Sequence, residues 1–259
     1  RAGPYRIDDK EKKWAGYFVS LNRNKKSIKL NLKKNEEREK FYDLIKKSHI
    51  LVENFRPGVA EKLGISYEIL SKLNPKLVYG SIRGFGDPRL GESPYKNWPS
   101  YDVVAQAMGG IVSMTGTRKK PLKVGPGIGD IFAGSLLAFG LISALRYSEK
   151  TGKGQFVDVA MYDAIVSLCE RGIYQYTFDS LIPQPSGNRH PFLSPFGIYK
   201  VKDGHIALGI VEDNFWKTFL NIMKKTKFLE KKKFSTVYNR SKNAKKINKI
   251  VSKWLKDYT

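Results

Sequence analysis

Cysteine is almost missing from this chain of 259 residues: the single one, Cys169, cannot close an internal disulfide. No oxidised framework holds the fold, and a reducing cytosol is the expected compartment. Histidine is nearly as scarce, with three copies, and no spacing of His, Cys or carboxylates suits a metal, so none is expected. His49 reads as a strand-edge residue and His205 as a hairpin residue. No long hydrophobic run is present either. The longest, Ile131 to Leu145, is broken by Gly134, Ser135, Gly140 and Ser143 and falls short of the ~20 residues that span a bilayer, so no membrane partner is expected. Negative charge is also short, 24 acidic residues against 47 Lys and Arg, for a formal charge of +23. The excess falls on predicted helix faces such as Lys46-Lys47, Lys224-Lys225 and Lys231 to Lys233, which reads as a solvated surface. A basic nucleic-acid-binding protein is the alternative, although no nucleic-acid module is recognisable.

What is present is ordinary for a globular protein, 41% hydrophobic and 12% aromatic. The length suits two domains. Residues 36 to 48 carry Phe41, Leu44 and Ile45 at helical spacing, and a short apolar strand follows, ending at Glu53-Asn54. A short helix closes at Gly64, and Ser66 is placed to cap a helix over Tyr67 to Leu73, which Asn74-Pro75 stops. Leu77 to Ile82 is the next strand. Arg83 to Trp98 reads as a functional loop, Tyr101 to Met108 as a helix, and the strongest helix runs from Asp130 to Arg146. A strand over Phe156 to Ala160 and one helix from Tyr162 to Phe178, carrying Cys169, come next. Alternating short apolar strands and helices predict an α/β fold with a mostly parallel sheet. Ile182 to Pro195, rich in Pro, Gly, Ser and Asn, marks the domain boundary. Beyond it a β-hairpin turns at Asp203-Gly204 and helices run to the end.

The segment Gly125-Pro-Gly-Ile-Gly-Asp130 is the local pattern of chemical interest. Its glycines let a backbone approach a ligand closely, and its aspartate stands where a long helix begins. Such a carboxylate has two readings, an ordinary helix N-cap or a reactive anion favoured by open N–H groups. The spacing is not the dinucleotide fingerprint.

Seven segments in order, Leu21 to Lys33, Val52 to Gly58 with Lys62 to Gly64, Asn74 to Tyr79, Gly84 to Gly86, Tyr101 to Ala107, Gly129-Asp130 and Thr151 to Gln155, closely resemble the signatures of class III CoA-transferases. The resemblance continues through Gly187 to Pro191 and Asp213 to Trp216. It implies a Rossmann-like large domain over residues 1–185, carrying the CoA site and the nucleophile. A linker and the start of a smaller α/β domain follow over 186–259. The family's opening strand and returning C-terminal part are expected to lie outside the chain. An interlocked homodimer is implied as well.

By the same resemblance Asp130 is the nucleophile, exchanging one thioester for another through a mixed anhydride and an aspartyl-CoA thioester. Asp102 matches an acidic residue near the reaction centre; read by itself it is a helix-start carboxylate. CoA contacts are implied for Leu30, Lys33, Asn54, Phe55, Arg56, Lys62 and for Trp98, Pro99, Ser100 and Tyr101. Gly187, Asn188 and His190 match a loop over the acyl group. CoA enters only as part of the substrate, with an acyl-CoA donor and a carboxylic acid acceptor, and no tightly bound cofactor is implied. Acyl-CoA racemases share the fold but carry histidine where Tyr101 stands, so transfer is favoured and racemisation is the alternative. Gly84 to Tyr95 resembles relatives that use short dicarboxylic acids such as succinate or mesaconate.

Overall fold

A computed structural model describes residues 3–259. The first half of the chain folds as α1 (Gly16–Leu21), α2 (Asn35–Lys46), β1 (Ile50–Glu53), α3 (Val59–Lys62), α4 (Tyr67–Leu73) and β2 (Val78–Arg83). Then come α5 (Asp102–Met108), α6 (Ile111–Met114), the short strands β3 (Gly116–Thr117) and β4 (Lys120–Pro121), and α7 (Ile128–Thr151). The chain continues with β5 (Phe156–Ala160), α8 (Met161–Leu168), α9 (Glu170–Asp179), β6 (Phe196–Lys200), β7 (His205–Gly209), α10 (Asp213–Ile222), α11 (Val237–Lys242) and α12 (Ala244–Leu255).

The expected parallel sheet is present, in the order β1-β2-β5. Ile50 pairs with Val78, and Tyr79 with Phe156. Both faces of β2 are covered, which explains its unbroken apolar reading. Val78 packs with Leu137, Leu141 and Ala144 of α7. On the opposite face Tyr79 joins Ile45, Ala60, Ile65 and Leu70 from the layer of α2, α3 and α4. The pleat sends neighbouring residues to opposite sides, so one strand serves two cores. From β6 onward a further cluster gathers Tyr199, Trp216, Leu220, Phe234, Ile247 and Val251. Within it the fully buried Arg240 donates to Asp213 at 2.6 Å and to the Ser194 carbonyl at 3.2 Å.

Two expectations need correction. The strongest helix opens at Ile128 and runs to Thr151 rather than from Asp130 to Arg146, so Gly127 is the N-cap and Asp130 the third helical residue. Side-chain pattern could not show this, because the earlier start depends on a distant residue that receives the Gly129 N–H. The helix read over Tyr162 to Phe178 is two, α8 and α9, parted at Cys169, whose N–H bonds back three residues to Val166 and tightens the last turn. Ser66 stands at the N-cap of α4 as expected, in an extended conformation and without a side-chain capping bond. By length and composition alone α7 could cross a bilayer, its most apolar 18-residue stretch having a mean hydropathy of 1.9. One of its faces packs on the sheet, while Ile131, Phe139 and Ile142 are exposed.

Past the apolar row of β2 the chain turns charged. Arg83 and Asp87, both buried, pair at 2.6 Å. Asp87 also receives Arg89 at 2.6 Å, and Arg89 reaches Glu68 at 2.7 Å while lying over the Phe156 ring. Burial works to raise the Asp87 carboxyl, but the Arg89 and Arg83 contacts outweigh it, and the group sits below its ordinary value. These pairs pin the loop between β2 and α5 to the sheet. Asp87→Asn removes the nearer of the two carboxylates beside the buried Arg83, leaving Glu53 at 3.7 Å, and is expected to cost about 3–5 kcal/mol in urea unfolding. A depressed carboxyl stabilises above the unfolded-state value of about 3.9. That contribution is lost as pH falls through the folded-state value, so the difference from wild type narrows at acid pH. A loss below about 1 kcal/mol at neutral pH would show that another acceptor carries Arg83.

Candidate active site

Ligands of open parallel sheets bind beyond the C-terminal ends of the strands, where loops diverge. A cleft of about 450 Å³ lies there. Its floor is the end of β2, Ile82 to Gly84, and one wall is the turn Asn54-Phe55-Arg56-Pro57 after β1. Glu53, buried at the end of β1, accepts the Phe55 N–H at 2.7 Å and shapes that turn. The opposite wall is Trp98 to Tyr101, and Asp130 faces the space from the first turn of α7. A Cβ on Gly84 would lie 2.3 Å from that of Ser100, so the floor and the Trp98 wall meet only because this residue has no side chain.

Asp130 and Asp102 flank the glycine loop. Asp102, the first residue of α5, accepts the Gly129 N–H on Oδ1 at 2.8 Å and the Gln106 Nε2 on Oδ2 at 2.8 Å. A Cβ on Gly129 would sit 3.1 Å from the same Oδ1, so the close seat of α5 on the start of α7 favours glycine there. Asp130, by contrast, is exposed at the cleft edge and receives no hydrogen bond among the described residues, and its carboxyl is raised, first by partial desolvation and second by the Asp102 charge. Such a carboxylate is more basic than an ordinary one, and its lone pairs are uncommitted.

The cleft brings together eight of the residues singled out from sequence: Asn54, Phe55, Arg56, Trp98, Pro99, Ser100, Tyr101 and Asp130. Asp102 stands behind Asp130 rather than on the cleft wall. Leu30 is half-buried ahead of the turn that carries Lys33, whose N–H bonds Asn31 at 3.2 Å, and Lys62 is exposed at the end of α3; none of the three lines the cleft. Gly187, Asn188 and His190 also lie apart. Gly187 donates to the Gly116 carbonyl at 2.8 Å, Asn188 accepts the Ile198 N–H, and His190 stacks edge-on to Phe196. The His190 Nδ1 accepts the Phe192 N–H at 3.1 Å, and burial, then Arg171, lowers its basicity. Of the other cleft residues, Arg83 and Lys96 are marked by sequence only as part of the loop over Arg83 to Trp98, and Tyr17 and Met161 are not marked at all. That loop, read as functional, starts just past the strand expected over Leu77 to Ile82, and its position is a usable signal. Two cations, Arg56 and Lys96, and the rings of Phe55, Trp98 and Tyr101 give the cleft groups that suit phosphate and a flat base. No cluster of three or more His, Cys or carboxylates that could hold a metal occurs among the described residues.

The site is thus a parallel α/β sheet whose strand ends carry a cleft lined by cations and aromatic rings, with an unpartnered carboxylate at a helix start beside it. Comparison with known proteins gives the family: residues 1–259 match CoA-transferase family III, and the chain belongs to it. It is 45% identical over 223 residues to the succinyl-CoA:mesaconate CoA-transferase of Haloarcula hispanica, covering 86% of this chain and 56% of that protein. With the acetyl-CoA:oxalate CoA-transferase of Acetobacter aceti it shares 36% identity over 209 residues, 80% of this chain and 53% of that one. A solved CAIB/BAIF family protein from Brucella suis superposes with a TM-score of 0.79 at 30% identity, over 95% of this chain and 64% of that one. The chain spans about half the length of the curated relatives it matches.

In carbon-13 NMR with labelled aspartate, the Asp130 carboxyl, assigned by its loss in Asp130→Asn, is expected to titrate above the usual aspartate value of about 3.9. A midpoint at or below that value would mean that hydrogen bonds to the anion outweigh desolvation.

Proposed function

We propose that this chain carries the catalytic core of a CoA-transferase that moves CoA from an acyl-CoA donor to a carboxylic acid through Asp130. The observation that carries the reading is the uncommitted, raised carboxyl of Asp130 in a cleft of cations and aromatic rings. One Asp130 oxygen attacks the donor thioester carbon; the C–S bond breaks, giving a mixed anhydride and CoA thiolate. The thiolate then attacks the aspartyl carbonyl carbon, releasing the donor acid and leaving an aspartyl-CoA thioester. The acceptor carboxylate repeats these two steps in reverse and leaves as the new thioester, with Asp130 restored. One thioester replaces another, so the sequence needs neither ATP nor metal. An anhydride hydrolyses readily, so water must be kept out while it exists.

The acids we assign are short dicarboxylates. The likeness of Gly84 to Tyr95 to users of succinate and mesaconate supports this, as does the relative named for succinyl-CoA and mesaconate. Arg56 and Lys96 would receive phosphate or the free carboxylate, and Trp98 or Tyr101 would stack on adenine. Asp102, Leu30, Lys33, Lys62 and the segment Gly187 to His190 stay in the proposal on resemblance. So does a homodimer, which would cover Phe139 and Ile142 of α7 and Phe178 of α9, all exposed here. A reducing cytosol, read from the lone Cys169, completes the assignment.

Incubation with succinyl-CoA and hydroxylamine, followed by peptide mass spectrometry, should find a hydroxamate on Asp130. Asp130→Asn should abolish it and lower transfer by about 10³-fold or more. A hydroxamate on another carboxylate would remove the mechanism.

A further inference from the structure

A carboxylate on the third residue of a helix ordinarily turns back to meet the open N–H groups of that helix. Asp130 does not, and the reason lies one helix away. The first-turn N–H of Gly129 is taken by Asp102 Oδ1 at 2.8 Å, so the start of α7 is capped from α5. Asp102 is itself held from behind. Gln106, one turn further along α5 and fully buried, donates Nε2–H to Asp102 Oδ2 at 2.8 Å. Its Oε1 accepts the Val124 N–H at 2.8 Å, and Nε2 also approaches the Pro126 carbonyl at 3.4 Å. An N–H can be met only by an acceptor, so Val124 fixes which way the Gln106 amide points. The NH₂ must then face Asp102, and both Asp102 oxygens are engaged.

We propose that Gln106 is a positioning residue: by holding Asp102 against Gly129 it assigns the cap of α7 to Asp102 and leaves the Asp130 carboxylate free towards the cleft. The proposal rests on the reading of Asp130 as nucleophile. Three segments, α5, the glycine loop and α7, are tied by this one amide. The raised Asp130 carboxyl agrees with it, since a carboxylate that capped its own helix would be stabilised as the anion. Besides Asp130, the charged or titratable groups nearby are Lys123 in the loop, Arg56, Arg83 and Lys96 in the cleft, and the phenols Tyr17 and Tyr101.

Two variants of the full chain test it. Gln106→Met keeps the length of the side chain but withdraws both polar contacts. With Asp102 released, Asp130 gains helix N–H groups and loses a fixed neighbouring anion, so its carbon-13 titration should move down. Hydroxylamine trapping at Asp130 should slow by about tenfold or more while the KM for succinyl-CoA stays within about twofold. Gln106→Glu exchanges the amide nitrogen for oxygen. While protonated, the introduced carboxyl can give O–H to Asp102 and still accept the Val124 N–H, so trapping stays near wild type at acid pH. As pH rises, two facing carboxylates repel and the rate should fall along a basic limb that wild type lacks. A filler of space would show no such limb.

Wild-type titration and trapping rates in Gln106→Met, or a pH profile in Gln106→Glu that overlays wild type, would overturn the proposal. If the Met variant does not fold, the profile and titration of Gln106→Glu decide. If wild type never traps an acyl group yet the Asp130 titration moves down in Gln106→Met, the transferase reading fails and the positioning role stands.

Discussion

The packing of α7 across the sheet is the constraint from which the rest follows. Leu137, Leu141 and Ala144 close on Val78, and a Cβ on Gly80 would lie only 2.9 Å from Leu141. Such close seating fixes the helix axis relative to the strand ends, because a core packed to crystal-like density admits little sliding. Once the axis is fixed, its first turn must emerge where β1 and β2 stop. Asp130 is therefore delivered to the cleft by hydrophobic contacts well along its own helix. The polar groups refine the placement; they do not create it.

Around that frame the protein separates two electrostatic tasks. On the loop side, Arg83, Asp87, Arg89 and Glu68 form a continuous run of ion pairs that hold the chain between β2 and α5. Charge there is neutralised and committed to structure. On the cleft side, Asp130 forms no ion pair or side-chain hydrogen bond among the described residues, and partial desolvation together with Asp102 raises it. The same residue type thus serves opposite ends: Asp87 is pulled below its ordinary value by the arginines, and Asp130 is pushed above it. Opposed environments of this kind set two carboxylates of one fold on opposite sides of their ordinary value.

Much of the architecture was readable in advance because its signals are local. Apolar runs of strand length in Ile50 to Val52 and Val78 to Ile82, stops at Gly64 and Asn74-Pro75, and the turn at Asp203-Gly204 all act within a few residues. The parallel pairing of β1, β2 and β5 followed from their alternation with helices. Of the cleft, Asn54 to Arg56 and Trp98 to Tyr101 were named through likeness to a family, since no rule of spacing would have chosen them. Tyr17 and Met161 have no local signal, because what marks them is proximity across the fold. His190, matched by likeness to a loop over the acyl group, packs against Phe196.

What the sequence determined by itself is the set of elements and the presence of an aspartate near the start of a long apolar helix, because propensity, periodicity and turn chemistry are short-range. What only the tertiary structure decided is what that aspartate is free to do. Whether it caps its own helix or faces a cleft depends on Asp102 reaching Gly129 across 27 positions of the chain, and on Gln106 holding it there. A hydrogen bond between distant segments leaves no pattern in the order of residues; it exists only once the core has brought the Asp102 side chain to 2.8 Å from the Gly129 nitrogen.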